Sequence, residues 1–297
     1  MGTLSPKDVP ILLNIFNRPE KVTNLLGVLR SLKPKYLYVS CDGPRKNILL
    51  DEINIKKSKD LIEGIDWECL IVKRYSSVNL GCSICIPNAI DWFFENVEMG
   101  IILEDDCIPN LSFFSYCLEM LHTYKDVKEV MHISGTNLNE QRGDASYYFS
   151  KYGQIWGWAT WRDRWKMYDK TEEMFLPSRN FFNRIEEQFW LKNFKYNIWD
   201  VRWAVFSVWK NNGISIIPNA NLVSNIGFGK DATHYKDENS LHSNLTQELL
   251  RFPLKHPLEI YVDRKQDVLF FMRHYYKSKF QIACSKLFAS IRKLKWN

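Results

Sequence analysis

The stretch from Gly100 to Asp106, GIILEDD, constrains this chain more than any other. Gly100 to Leu103 is a continuous apolar run, the pattern of a strand covered on both faces, and it leads without a spacer into Glu104, Asp105 and Asp106. Three adjacent carboxylates repel one another. They are tolerated in a fully solvated turn or around a cation. Because they follow a buried strand rather than a polar loop, the cation reading is the stronger one. Mg2+ and Mn2+ bind in this way, through one or two carboxylates plus phosphate oxygens.

The surrounding pattern says where such a turn would sit. Apolar runs of strand length recur at Val9–Phe16, Tyr36–Cys41, Trp67–Arg74 and Val130–Ser134. Between them, Glu20–Leu32, Asp51–Glu63, Ile84–Asn96 and Ser112–Tyr124 carry apolar residues at helical spacing. Strands alternating with helices predict an α/β fold with a mostly parallel, doubly wound sheet. Ligands of such sheets lie outside the carboxyl ends of the strands. Asn17, Arg18, Asp42, Asp105 and Asp106 all fall there. Beyond about residue 140 the pattern changes. Trp156–Trp165 is dense in tryptophan, Ile198–Asn211 reads as a helix, Ile214–Pro218 as a strand, and Asn225–Asn239 as a polar, glycine-containing loop.

Composition narrows the classes. Hydrophobic residues make up 45% and charged residues 25% of 297, the mixture of a soluble globular protein. The net charge is +6, but Arg273, Lys277, Lys279, Lys286, Arg292, Lys293 and Lys295 follow the last acid, Asp267, and without them the body is nearly neutral. No nucleic-acid partner is therefore expected. The seven cysteines lack a disulfide spacing, and the lone Cys82-Ser83-Ile84-Cys85 cannot make a four-ligand zinc site. With no signal sequence and no apolar run of membrane-spanning length, a cytoplasmic chain with reduced thiols is expected. The 11 tryptophans suit stacking on sugar rings or simply a ring-rich core.

The segment Ile101–Phe114, IILEDDCIPNLSFF, resembles the metal motif of glycosyltransferases with the GT-A fold. It is especially similar to the N-acetylglucosaminyltransferase I family, and chains of this size and pattern also look like bacterial family-2-like glycosyltransferases of surface-polysaccharide clusters; the resemblance runs, with gaps, from about residue 9 to 235. The resemblance implies a nucleotide-sugar-binding half over 8–140 and an acceptor-binding, catalytic half over 141–265. It implies that Arg18 meets the donor diphosphate, Asp42 the base (uracil in that family) and Asp105 the ribose. Asp106 would hold Mn2+ or Mg2+, and Glu104 would face the transferred sugar. Trp199-Asp200 looks like the family's Trp-Asp at the head of a late helix, with Asp200 as general base. Thr233 and His234 match the end of a mobile Phe-Gly loop that closes on the diphosphate. The chain departs from the family after the third strand, where Val78–Cys85 (VNLGCSIC) lacks a His, and in a loop about one residue shorter.

The activity implied is metal-dependent, inverting transfer of a sugar from a nucleotide-sugar donor, UDP-N-acetylglucosamine for example, to a saccharide or lipid-linked saccharide acceptor. Trp156 and Trp158 are the candidates for lining the acceptor side. The residues also have plainer readings: Asp42 as a turn former, Asp200 as a helix cap and the tryptophan cluster as core. The rivals are a sugar nucleotidyltransferase, which usually carries a glycine-rich loop after its first strand, and a non-catalytic carbohydrate-binding protein. A glycosidase is weaker still. Residues 266–297 read as a basic amphipathic helix, and 270–297 could hold the chain peripherally on an anionic membrane.

Overall fold

A computed structural model describes residues 4–139, 143–170, 181–193, 198–228 and 245–276. Four of the apolar runs form parallel strands: β1 (Ile11–Ile15), β2 (Tyr36–Cys41), β3 (Leu70–Tyr75) and β4 (Met99–Glu104). They are joined by α1 (Pro19–Leu32), α2 (Leu49–Glu63) and α3 (Cys82–Asn96). Pro19 occupies the first turn of α1, where its missing N–H costs nothing, and Val22, Leu25 and Leu29 form the buried stripe.

The sheet runs β3-β2-β1-β4 and continues through β8 (Trp158–Trp161), β6 (Val130–Ser134), β9 (Ile214–Pro218) and β7 (Tyr147–Ser150). From β1 the chain walks outward to β2 and β3, then returns to lay β4 on the other side of β1. Strand alternation sorts the side chains. Ile11, Leu13, Val39, Ile101 and Leu103 join α1 and α2 in one core, while Leu12, Tyr38 and Ile102 join α3 in the other. The reversal of direction makes the β1–β4 junction the switch point of the sheet, where α/β folds open a crevice. This is the expected α/β, Rossmann-like architecture.

The other half of the sheet is mixed. β6 (Val130–Ser134) and β9 (Ile214–Pro218) are parallel, but β8 (Trp158–Trp161) runs antiparallel between β4 and β6, and β7 (Tyr147–Ser150) antiparallel to β9. Directly after the acidic triplet, β5 (Cys107–Pro109) pairs antiparallel with β10 (Val223–Asn225). α4 (Leu111–Thr123) follows, its start capped by Asn110, whose side chain accepts the Phe113 N–H. α5 (Arg162–Trp165) and α6 (Arg184–Asn193) precede a last long helical segment. That segment runs from α7 (Trp199–Val201) through a π stretch (Arg202–Ser207) into α8 (Val208–Lys210).

Two expectations about the second half need correction. Trp158 is only 1% exposed. It stacks on His132 at 5.0 Å and packs against Trp165, Trp199 and Trp203, so it lines core rather than an acceptor surface. The C-terminal segment also begins differently. α9 (Arg264–Phe270) and the π stretch Phe271–Tyr275 are packed into the body, with Phe270 and Phe271 buried. Asp267 accepts hydrogen bonds from the Ser150 hydroxyl and the Lys151 N–H, and burial pushes its carboxyl up to about 7. At least to Tyr276 this segment is part of the fold; 277–297 lie outside the described residues. No helix among the described residues is long and apolar enough to cross a membrane.

His132 is the polar centre of that second core. Its Nε2 lies 2.9 Å from the Gln154 carbonyl, and Nδ1 accepts from the Trp203 indole at 3.0 Å, which fixes a neutral ring. Burial drives its pKa down to about 4. Between the ordinary value of 6.5 and about 4 the unfolded chain takes up a proton that the native one refuses, so this group's stabilisation is complete above pH 6.5 and lost as pH falls. The stability difference between wild type and His132→Gln should therefore shrink by up to about 3 kcal/mol from pH 7 to pH 4, read from urea unfolding at each pH.

Candidate functional site

The switch point collects carboxylates. Glu104 ends β4, Asp105 and Asp106 turn away from it, and the Asp105 N–H donates to the Asn14 carbonyl of β1 at 3.0 Å. Arg18, immediately before α1, lies across this turn. Its Nη1 donates to Asp106 Oδ2 at 2.8 Å and its Nη2 to Asp105 Oδ1. Asp105 is 1% exposed and also accepts the Phe16 N–H. Burial opposes the Arg18 charge, but Asp105, Asp106 and Glu104 outweigh it and hold the guanidinium protonated above its ordinary range. Burial raises Asp105 to about 6 against the pull of Arg18. Glu104 rises to about 8, from burial first and then the charge of Asp106, with smaller contributions from Asp105 and Asp200.

That last contribution brings Asp200 into the same field. It lies in the first turn of α7, accepts the Val201 N–H at 2.7 Å, and is partly exposed. It also acts on Tyr168, whose ring stacks on Trp165 at 4.6 Å. Three carboxylates thus surround the Arg18 guanidinium, and the charge of a fourth, Asp200, reaches Glu104. Trp199 beside Asp200 is buried and belongs to the core.

The backbone closes on Asp106 from the far side. Its carbonyl accepts the Ile226 N–H at 2.9 Å, and a Cβ on Gly227 would stand 2.1 Å from its Oδ2. A side chain there would push the Asp106 carboxylate out of this position. The Gly227 N–H is held by Asn225 at 2.6 Å, and Phe228 meets Trp156 edge-on at 5.7 Å. Trp156, half-buried, is thus joined through Phe228 to the segment that passes Asp106. Asn225 and Gly227 were invisible as site residues in the sequence, where they read as generic loop.

Two predicted donor contacts are placed otherwise. Asp42 is saturated: it accepts from Gly43, Leu80 and Gly81 N–H groups at 2.9 Å each and from the Asn79 amide at 3.1 Å. A Cβ on Gly43 would lie 2.4 Å from Val78 backbone, so the turn fits only as glycine. Asp42 therefore anchors the segment after β3, and the residues that depart from the family pattern are the ones that fill it. Asn17 donates to Asp51 at 2.6 Å and ties β1 to α2. Asp51, held by Arg45 and buried, has its carboxyl pulled down to about 2. Thr233 and His234 lie outside the described residues.

Among the described residues no three His, Cys, Asp or Glu side chains form a metal cage, and no disulfide joins the cysteines. A groove of about 690 Å3 between α1 and α2, lined by Thr23, Arg30, Asp60 and Trp67 among others, contains none of the predicted residues.

No family model matches the chain, and no curated protein does. Among solved structures it is similar to 4-diphosphocytidyl-2C-methyl-D-erythritol synthase from Anaerococcus prevotii, at 11% identity and a TM-score of 0.34 over 65% of this chain and 85% of that one. It is also similar to an apo UDP-glucose pyrophosphorylase, at 12% identity and 0.33 over 63% and 87%.

The Arg18 fork is the element most open to test. Arg18→Met leaves Asp105 buried without its cation and should cost about 3 kcal/mol in urea unfolding, with Arg18→Lys recovering part of the loss but not the two-pronged geometry.

Proposed function

We propose that this protein is a metal-dependent glycosyltransferase that uses a nucleoside-diphosphate sugar. The observation that carries the reading is the meeting of Asp105, Asp106 and Glu104 around the Arg18 guanidinium, with Asp200 close enough to act on Glu104, at the switch point of a largely parallel sheet. Such an excess of negative charge suits a site completed by a divalent cation and a diphosphate. Asp106 is the residue to hold Mn2+ or Mg2+. Its Oδ2 lies in a cradle that a Cβ on Gly227 would fill, and the donor set is of the kind these hard ions take together with phosphate oxygens. When bound, the cation would supply charge neutralisation for the departing diphosphate.

The rest falls to the chain. Arg18 keeps its Nη2 on Asp105 and turns its Nη1 from Asp106 to the phosphate oxygens, which frees Asp106 Oδ2. Asp200, on the acceptor side, takes the proton of the attacking hydroxyl as the new bond forms at the anomeric carbon. The bond from that carbon to the diphosphate oxygen breaks with its electron pair leaving on the nucleoside diphosphate. One direct displacement inverts the anomeric centre. Trp156 and Phe228 offer rings beside the crevice for a sugar face. A saccharide or lipid-linked saccharide is the acceptor class that this reading takes.

Nucleotidyl transfer is the second reading. Carboxylates at the same strand ends would equally serve attack on phosphorus, and Arg18 stands where a triphosphate would be gripped. Against it, the turn after β1 is Asn17-Arg18-Pro19, with Asn17 tied to Asp51 and Arg18 to the acidic turn, and no glycine before Gly27.

Calorimetric titration with a panel of nucleoside diphosphates, with and without Mn2+, tests the proposal. One nucleotide should bind the wild type in a metal-dependent way and lose that dependence in Asp106→Ala. Asp200→Asn should keep donor binding within about twofold and lose transfer by 100-fold or more. Wild-type turnover in Asp200→Asn sinks the base assignment, and release of pyrophosphate from a nucleoside triphosphate and a sugar phosphate would install the second reading instead.

A further inference from the structure

The same alternation that sorts the two cores places three polar residues side by side under the crevice. Asn14 pairs in register with Ser40 of β2 on one side and with Glu104 of β4 on the other. All three follow Leu12, Tyr38 and Ile102 by two residues, so they share the α3 face of the sheet at the carboxyl ends of the strands. Every other central position of β1 is aliphatic. Asn14 is 8% exposed and Ser40 2%. Neither the carboxamide oxygen nor the nitrogen of Asn14 has a hydrogen-bond partner, and the Ser40 hydroxyl meets only the Cys85 thiol of α3.

Buried amides without partners are rare, because each atom has given up water for nothing. A leucine would fill the same space with no such loss. A polar group retained against that cost marks a place where a ligand atom or a structural water belongs. The chemistry selects the ligand. The row of Asn14, Ser40 and Glu104 holds no cationic side chain, so a phosphate would find no charge partner in it. The carboxamide presents a donor and an acceptor together, and the serine hydroxyl presents both. The complement is a neutral group that also does both, which is a sugar hydroxyl. The row spans two strand spacings, roughly 10 Å.

We propose that Asn14, with Ser40 beside it, is the specificity determinant for the donor, receiving a hydroxyl of the transferred sugar in a polar subsite beneath Glu104. The proposal rests on the nucleotide-sugar reading above and deepens it. A site built to hydrogen-bond a hydroxyl discriminates strongly against a ligand lacking it, because its own groups are then left unpaired.

The test compares UDP with UDP-glucose, UDP-galactose and UDP-N-acetylglucosamine, or the matching set for whichever base the wild type selects, by calorimetry with Mn2+. In wild type at least one sugar conjugate should differ from another by tenfold or more. In Asn14→Leu that discrimination should collapse to within about threefold while affinity for the nucleoside diphosphate alone is unchanged, and the melting temperature should hold or rise. Asn14→Ala, which cannot overpack, should show the same collapse, and Ser40→Ala a smaller one. Preserved discrimination in the Asn14 variants overturns the proposal, and a drop in melting temperature with discrimination intact assigns the pair to a structural water. If wild type binds the nucleoside diphosphate but no variant alters sugar preference, this inference alone falls. If wild type binds no nucleotide, the function falls and takes the inference with it.

Discussion

A single guanidinium facing an acidic turn organises this molecule. β4 must end where β1 ends, because the return of the chain after β3 puts them side by side, and β4 ends in three carboxylates. Without a cation at that junction the buried Asp105 would be untenable as a charge. Arg18 supplies it from the residue that precedes α1. The turn after the first strand, the start of the first helix and the turn after the fourth strand are thus fixed relative to one another by one forked contact, and the crevice geometry follows. Asp51, gripping both Asn17 and Arg45, braces the same corner from α2.

The two faces of the sheet have been given different work at this corner. On the α1 and α2 side the apolar packing continues up to Ile15 and Leu103. On the α3 side it stops one residue pair earlier, and Asn14, Ser40 and Glu104 replace it. The helix carrying Asp200 packs on this second side, next to α3, and its regular turn gives way to a π stretch just after Asp200. Local departures of that kind concentrate at working positions of helices.

Much of this was legible in the sequence, and the reasons differ from place to place. The four parallel strands announce themselves because strands buried on both faces must be apolar throughout, and the acidic triplet stands out against such a background. Arg18 and Asp106 stand out by position in the pattern and meet in space, and Asp200 acts on Glu104 beside them. Trp158 was misassigned because a tryptophan-dense segment has no direction of its own. Which ring faces solvent depends on β8 slotting antiparallel between β4 and β6, a pairing between segments tens of residues apart. Asp42 was misread for a similar reason, since its partners arrive from Asn79 to Gly81. Asn14 passed unnoticed because one polar residue in an apolar run looks like tolerance, and only its two register neighbours reveal a row. The C-terminal segment reads as a basic amphipathic helix, and what the sequence does not show is that Asp267 anchors its beginning beside Ser150.

Gly227 matters for the side chain it lacks. Its bare α-carbon leaves open the space that a side chain would take from the Asp106 carboxylate. Ile226 on the Asp106 carbonyl and Phe228 on the edge of Trp156 hold the chain on either side of that opening. The open face of the acid is thus framed by backbone on one side and an indole contact on the other, so the missing side chain is what keeps the carboxylate reachable.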